Sequence, residues 1–531
     1  MTIRYMNPFS KLRCLLIFIL LLTSAYSVNA DDDGWNYTVM PGDTLTHISE
    51  KYLDRLNLWQ QLQKINNIDD TTRLKPGTVL YIPYALSGGS TFAEVVWVRG
   101  DAKLIGDNTT TMLSRNMKLR MGQIILTGKD GSLTLRLMDQ SRVLISPNSR
   151  IKLSQMIINR KSGQIKSELT IEAGAAESVI TPTESVDAHY EIKTPALSLA
   201  VRGTRFRVLV DSQTGMTRTM VLEGKVEASA QGQMVAVAAG QGTLATPGSS
   251  PAPARDLLEP PILINNPPVL EYLPIQFSWQ PLEGAKHYRV ELLDSNGSQQ
   301  IDELTVIDTQ VQWKNLPDNE YQLRVSGIDD IGLEGKPAKY MFSLNATPEP
   351  PMLLKPLNNN VMPTNKVIFR WAKTQGLKHY HLQISDAPDF KHIIVQIKQL
   401  PANTSGINLK LPVGQYYWRI AAAMHPQGFG PFSISQNFKV VEYDVNPNSN
   451  DNTNSFTIAW KPGILGQKYK IQVAKDSTFS LPIFDATQDT PQANIELPNR
   501  GTYYIRMQRI DNNGLYGLFE TPQQFIFSPT P

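Results

Sequence analysis

Histidines, acids and arginines are where this chain could do chemistry. The seven histidines are His47, His189, His287, His379, His381, His392 and His425. A zinc hydrolase would pair two of them as His-Glu-x-x-His, and a serine hydrolase would show Gly-x-Ser-x-Gly; neither occurs. His379-Tyr380-His381 puts two imidazoles on one strand face, and Asp386 or Asp389 could complete a metal site. Tyr380 between them has a core register, which predicts that both imidazoles turn to solvent. Carboxylates are plentiful, yet no pair stands in a glycosidase setting. The expectation is a chain with no catalytic group, no metal and no cofactor. Arg202, Arg205 and Arg207 form the sharpest basic cluster. Arg205 and Arg207 share one strand face, read as solvated, with an acidic partner or cell-wall carboxylates as the alternative.

The elements that position these groups follow from composition and pattern. At 531 residues the chain should hold several domains. Arg4, Lys11 and Arg13 precede the apolar run Cys14–Leu22, and Val28-Asn29-Ala30 offers small residues for cleavage. Residues 1–30 thus read as a secretory signal peptide cleaved near Ala30, an uncleaved anchor being the alternative, which places the product in a periplasm or cell envelope. The whole chain carries 51 Lys and Arg against 48 Asp and Glu; without those three basic residues the balance is even, which argues against nucleic acid as a partner. Cys14 is the one cysteine, so residues 31–531 have neither disulfide nor thiol chemistry.

Residues 34–84 read as strand, two helices, strand. Asn36–Met40 is the first strand, and Asp43 is placed to N-cap a helix carrying Leu45, Ile48, Ser49 and Tyr52. Leu58, Trp59, Leu62 and Ile65 follow at helical spacing, and Thr78–Ile82 closes the unit. Tyr37-Thr38-Val39, Pro41-Gly42-Asp43-Thr44-Leu45, Ile65-Asn66, Leu74-Lys75-Pro76-Gly77 and Leu80-Tyr81-Ile82-Pro83 resemble a LysM domain along its length. The resemblance implies binding of N-acetylglucosamine-containing glycan, in bacteria usually peptidoglycan. It implies contacts from Gly42, Asp43, Thr44 and Leu45, with Asn66, Asn67 and Ile68 opposite. Turn and cap duties for Gly42 and Asp43, and a helix-end loop for Asn66 and Asn67, are compatible with that role.

After Ser87-Gly88-Gly89-Ser90, a flexible joint, residues 91–246 alternate apolar and polar residues between glycine turns. Tyr190–Val208 is the most ordered stretch: Ile192, Leu197, Leu199, Val201, Phe206, Val208 and Val210 form buried faces, and Gly203 suits a positive-φ bend. Thr194-Pro195, Val201-Arg202-Gly203-Thr204-Arg205-Phe206-Arg207-Val208, Leu222-Glu223-Gly224-Lys225-Val226 and Ala239-Gly240-Gln241 resemble the FecR domain. That implies an all-β domain of the envelope-signalling kind. Sandwich and coiled β architectures both fit the spacing.

Residues 247–268 contain seven prolines and read as a stiff, extended spacer. Three units follow, 269–345, 346–441 and 442–531. Trp279 and Tyr288, Trp371 and Tyr380, and Trp460 and Tyr469 are each nine apart. A Leu-Pro turn then leads to Tyr321 and Arg324, to Tyr416 and Arg419, and to Tyr503 and Arg506. The repeats resemble the fibronectin type III fold, which implies core tryptophans and a tyrosine corner at Tyr321, Tyr416 and Tyr503. The fold class expected is mainly β and multidomain. The function expected is non-catalytic: a module held on peptidoglycan, with β domains facing an envelope protein partner. A peptidoglycan-processing enzyme and a soluble envelope sensor are the alternatives.

Overall fold

The computed structural model describes residues 34–528, with breaks at 54, 71–73, 84–85, 87–91, 107–108, 159–164, 183–188, 265, 365, 426–427 and 443–453. The expected signal peptide at residues 1–30, together with residues 31–33 and the expected joint at 87–90, lies outside the described residues. Two compact units divide the chain: Met1–Thr91 with Ile157–Gln164, and Phe92–Met156 with Ile165–Pro531.

In the first unit, β1 (Gly34–Thr38) pairs antiparallel with β2 (Val79–Pro83), Tyr37 facing Leu80. Between them run α1 (Leu45–Tyr52) and α2 (Trp59–Ile65), joined through a 3-10 turn at Leu56–Leu58. Leu45, Ile48, Tyr52, Leu62, Leu80 and Ile82 make the core. Burial of each such side chain contributes about 1.5–3 kcal/mol, so a module this small depends on all of them. Ser49 is also buried and its hydroxyl donates to the Leu56 carbonyl at 3.0 Å, which ties α1 to the turn. Ile65, expected on the buried stripe, faces outward at 42 % exposure.

The second unit opens with two β layers that share one long strand. In Ile165–Val179, residues Lys166–Thr170 pair in parallel with His189–Lys193. Residues Gly174–Val179 pair antiparallel with Arg205–Val210. The strand bends at Gly174, φ +84°, where Ser149 passes so near that a Cβ would lie 2.4 Å from its Cα. Tyr190 of one layer meets Phe206 of the other edge-on, ring centroids 6.5 Å apart. Both layers belong to one continuous sheet of 17 strands among the described residues, joined through that shared strand. Every apolar residue expected inside Tyr190–Val210 is buried, and Gly203 has φ +57°.

Residues 247–268 do not run free. Arg255–Asp256 pairs with Gln241–Ala245, and Leu263–Ile264 pairs with Ile275–Trp279 of the first repeat. Leu257 is buried against Met220 and Leu333. Proline lacks a backbone donor, but the residues between the prolines keep theirs and add short strands at both ends.

The three repeats are sandwiches. Their nine-residue Trp–Tyr spacing brings each pair of rings together, at 5.3, 5.6 and 5.6 Å. Each corner tyrosine donates to a carbonyl four residues back: Tyr321 to Pro317 at 2.6 Å, Tyr416 to Pro412 at 3.1 Å and Tyr503 to Asn499 at 2.7 Å. The second and third repeats share sheets. Leu353–Lys355 pairs with both Val367–Trp371 and Ser455–Ala459, and Lys373–Thr374 pairs with Gln523–Phe527. Met352 and Ala372 belong to the third repeat's core.

Candidate functional site

The expected glycan loop leaves β1 at Met40 and enters α1. Gly42 has φ +89° with open space where a Cβ would point, so glycine is what lets the chain turn here. The Asp43 carboxylate accepts from the Met40 amide at 2.8 Å and from the Tyr37 hydroxyl. Asp43 was expected to cap α1; the cap is Thr44, whose hydroxyl oxygen accepts from His47 N at 3.1 Å. Asp43 is diverted because Tyr37, held by its ring contact with Tyr52 at 5.0 Å, aims its hydroxyl at the carboxylate. Burial alone would raise the Asp43 pKa, but the Tyr37 and Met40 donors overcome it and hold the carboxyl below its ordinary value. Burial, and then the bond to Asp43, push the Tyr37 hydroxyl upward.

The structure distributes the seven expected contact residues unevenly. Gly42, Thr44 and Asn67 are exposed, Asp43, Asn66 and Ile68 half-buried, and Leu45 is in the core at 2 %. Asn66 donates to Leu62 O at 2.9 Å and Tyr81 O at 2.8 Å, and accepts from Tyr81 N at 2.6 Å. Its amide thus fastens the end of α2 to β2. Asn67 takes φ +51°, and Ile68 is held at both ends of its peptide unit by Gln63. A backbone-rich loop with short side chains suits a neutral acetamido sugar, which needs hydrogen bonds rather than charge.

His379 and His381 do not both face solvent. His381 is 8 % exposed under Phe429 and Phe432, at 5.1 and 5.2 Å, and its ring nitrogen lies 3.0 Å from the Gln396 amide. The segment after Gly428 folds over this sheet face, which spacing alone did not reveal. Burial, then Lys398 and Arg419, lower its pKa. Asp386 pairs with His392 at 2.9 Å and Asp389 with Lys391 at 3.1 Å. Among the described residues no group of three or more His, Cys, Asp or Glu could hold a metal ion. Among them, too, no helix is long and apolar enough to cross a membrane.

The arginine face expected in water is the largest departure. Arg207 is 4 % exposed, because the first repeat packs its own sheet against Arg205–Val210. Arg207 lies 3.3 Å from Glu303 and 2.9 Å from Glu334, the latter contact Coulombic since its angle is poor for a hydrogen bond. Arg205 bonds Glu177 at 2.6 Å, and Arg324 of the first repeat reaches the same carboxylate at 3.4 Å. Arg289 completes the set with Glu291 at 2.7 Å and Glu303 at 3.0 Å. Burial would raise the Glu177 pKa, but Arg205, Arg324 and Arg289 hold it at about 2. Glu303 is likewise held well below the ordinary range, by Arg289 and Arg207 against burial. Sequence reasoning missed Arg289, Glu291 and Glu303; the signal available was their alternation with Tyr288, Val290 and Leu292 on one strand and with Leu304 on its neighbour, which gathers the charges on one face.

The family model described as LysM domain matches residues 37–83, and that described as FecR protein matches 123–227. No curated protein matches the chain by sequence. Solved structures similar to parts of it include a candidate anti-sigma factor from Parabacteroides distasonis ATCC 8503, at 13 % identity and TM-score 0.22, with 25 % of this chain and 59 % of that one covered. The chain therefore spans less than two thirds of that protein. The three FN1-FN3 domains of chicken CNTN1 align at 13 % identity over 51 % of this chain and 98 % of theirs, TM-score 0.15. A two-domain fibronectin type III segment of chicken tenascin aligns at 13 % over 35 % and 99 %, TM-score 0.21. By the family models, this chain carries a LysM domain at residues 37–83 and a FecR domain at 123–227.

Proposed function

We propose that this is a non-catalytic protein of the bacterial cell envelope, held on peptidoglycan by its LysM domain and presenting β domains to a protein partner. The match of residues 37–83 to the LysM model carries the reading. The exposed loop at Gly42–Thr44 and the Asn67 turn, each fixed by hydrogen bonds to a small core, support it as contact surfaces for N-acetylglucosamine. Both matched families are binding or signalling domains, which favours recognition over a peptidoglycan-processing role. The test is retention on purified, protein-free sacculi. Thr44→Asp, which keeps a helix cap, with Asn67→Asp, which tolerates the positive φ, puts charge on both expected contact surfaces and should abolish retention of a chain whose circular dichroism is unchanged. Wild-type protein that stays in the supernatant would refute the tether, and clearing of a cell-wall gel by purified protein would refute the absence of catalysis.

The FecR match also favours an envelope sensor. In that reading the signature strand signals through the first sandwich, since Arg207 already contacts Glu303 and Glu334 there.

A further inference from the structure

The Tyr-x-x-Arg strand puts one arginine at the same register of each sandwich. Glu291 faces Arg324, Gln383 faces Arg419 and Gln472 faces Arg506 across neighbouring strands. In the first sandwich Arg324 meets a carboxylate from outside its own domain, Glu177. In the other two the facing residue is neutral, and the guanidinium is instead clasped by rings. Arg419 lies 4.0 Å from the centroid of Phe390 and 4.2 Å from that of Phe432. Arg506 lies 4.3 Å from Phe479 and 4.1 Å from Phe519. Gln383 and Gln472 accept from the two Nε groups at 2.9 and 2.8 Å.

Three observations mark these as built sites rather than idle stacks. Phe390 and Phe479 hold φ +56° and +57°, a left-handed backbone that bulky residues seldom adopt and that persists where surroundings enforce it. The corresponding turn of the first sandwich has Gly297 at φ +65°, where a side chain would collide with Arg324. Rings therefore stand where the first sandwich leaves room for its docked neighbour. Second, among the described residues neither Arg419 nor Arg506 has a carboxylate within ion-pair distance. The nearest acids are engaged: Glu271 by Lys461 at 2.6 Å, and Asp485 by Lys470 at 3.2 Å and Gln472 at 2.9 Å. Third, both arginines are half-exposed, with Nε fixed and the guanidinium plane set by rings on either side. A planar fork locked in this way matches a carboxylate.

We propose that Arg419 and Arg506 are two carboxylate-recognition sites on the second and third sandwiches, built for acidic side chains of a protein partner as Arg324 is for Glu177. A protein is favoured over peptidoglycan stem peptides because the precedent is a carboxylate carried by a β-strand and laid on the sheet face. The inference rests on reading these domains as partner-facing.

The test follows arginine Nε–Hε resonances of the full chain during titration with N-acetyl-Ala-Glu-Ala-amide. Arg419 and Arg506 should shift saturably while Arg324, already held by Glu177, stays still. The matching Gln peptide should move none of them. Gln383→Glu and Gln472→Glu place a carboxylate opposite each guanidinium that, unlike Glu291 with Arg289, has no other arginine bonded to it, so they should keep the fold and weaken the response about tenfold or more at the altered site. Shifts that are equal for Glu and Gln peptides, absent altogether, or unchanged in these variants would overturn the proposal. So would a response to a released stem peptide but not to the Glu peptide. Both variants should still be retained on sacculi, so this inference and the tether fail separately.

Discussion

Glu177 sits at 5 % exposure between Arg205 and Arg324 and is the carboxylate that both guanidinium groups contact. Removing one partner of a buried ion pair leaves the other uncompensated, at about 3–5 kcal/mol, so Glu177→Ala should lower the melting temperature of the second unit. The pH dependence has a definite sign. The Glu177 pKa falls from an ordinary 4.5 to about 2 on folding, so its contribution is present above pH 4.5 and is lost as pH drops toward 2. Melting curves between pH 5 and 2 should be steeper for wild type than for Glu177→Gln; identical slopes would show that the carboxylate is not linked to stability. In the LysM domain, Asn66→Ala removes two hydrogen bonds between the end of α2 and β2, and a third to Leu62 within α2. It should cost about 1–3 kcal/mol and speed hydrogen exchange in residues 79–83, whereas unchanged exchange would return Asn66 to the role of a free loop residue.

Among the elements, strands with one buried face were legible because period-two alternation reports on burial directly. The signature strand, the Trp–Tyr pairs and the tyrosine corners followed from spacing. What pattern could not reach was the second face. Arg207 and His381 sit on faces whose polarity reads as solvated, and only another segment, the first sandwich or the 428–433 stretch, buries them. Capping failed for a related reason: Asp43 and Thr44 are both good caps, and Tyr37 decides between them by claiming the aspartate. The proline-rich connection was misjudged by composition, since proline count says nothing of the residues between. Leu257 there is 5 % exposed against Met220 and Leu333. Leu257→Ala should therefore destabilise the second unit by about 2–5 kcal/mol in a thermal melt, while an effect within about 0.5 kcal/mol would mark the connection as a free tether.

At the scale of the whole molecule, the charges between the FecR domain and the first sandwich fix one docking geometry, since Glu177 and Glu303 must each be reached by arginines from both sides. A network of this kind adds specificity more than net stability, because desolvation offsets much of the attraction. The second and third sandwiches are joined differently, by a common strand at Leu353–Lys355 and by cores that exchange residues. Truncation after residue 441 would uncover Met352 and Ala372, which are 1 % and 0 % exposed, and free the Leu353–Lys355 edge. That shortened chain should aggregate and lose the cooperative melt of the second sandwich; a soluble product with an unaltered melt would show the sharing to be incidental. Gene duplication usually copies or discards a repeat one at a time. Here the smallest segment that can be gained, lost or transplanted intact is the pair, so homologous chains should vary in length by two such sandwiches rather than by one.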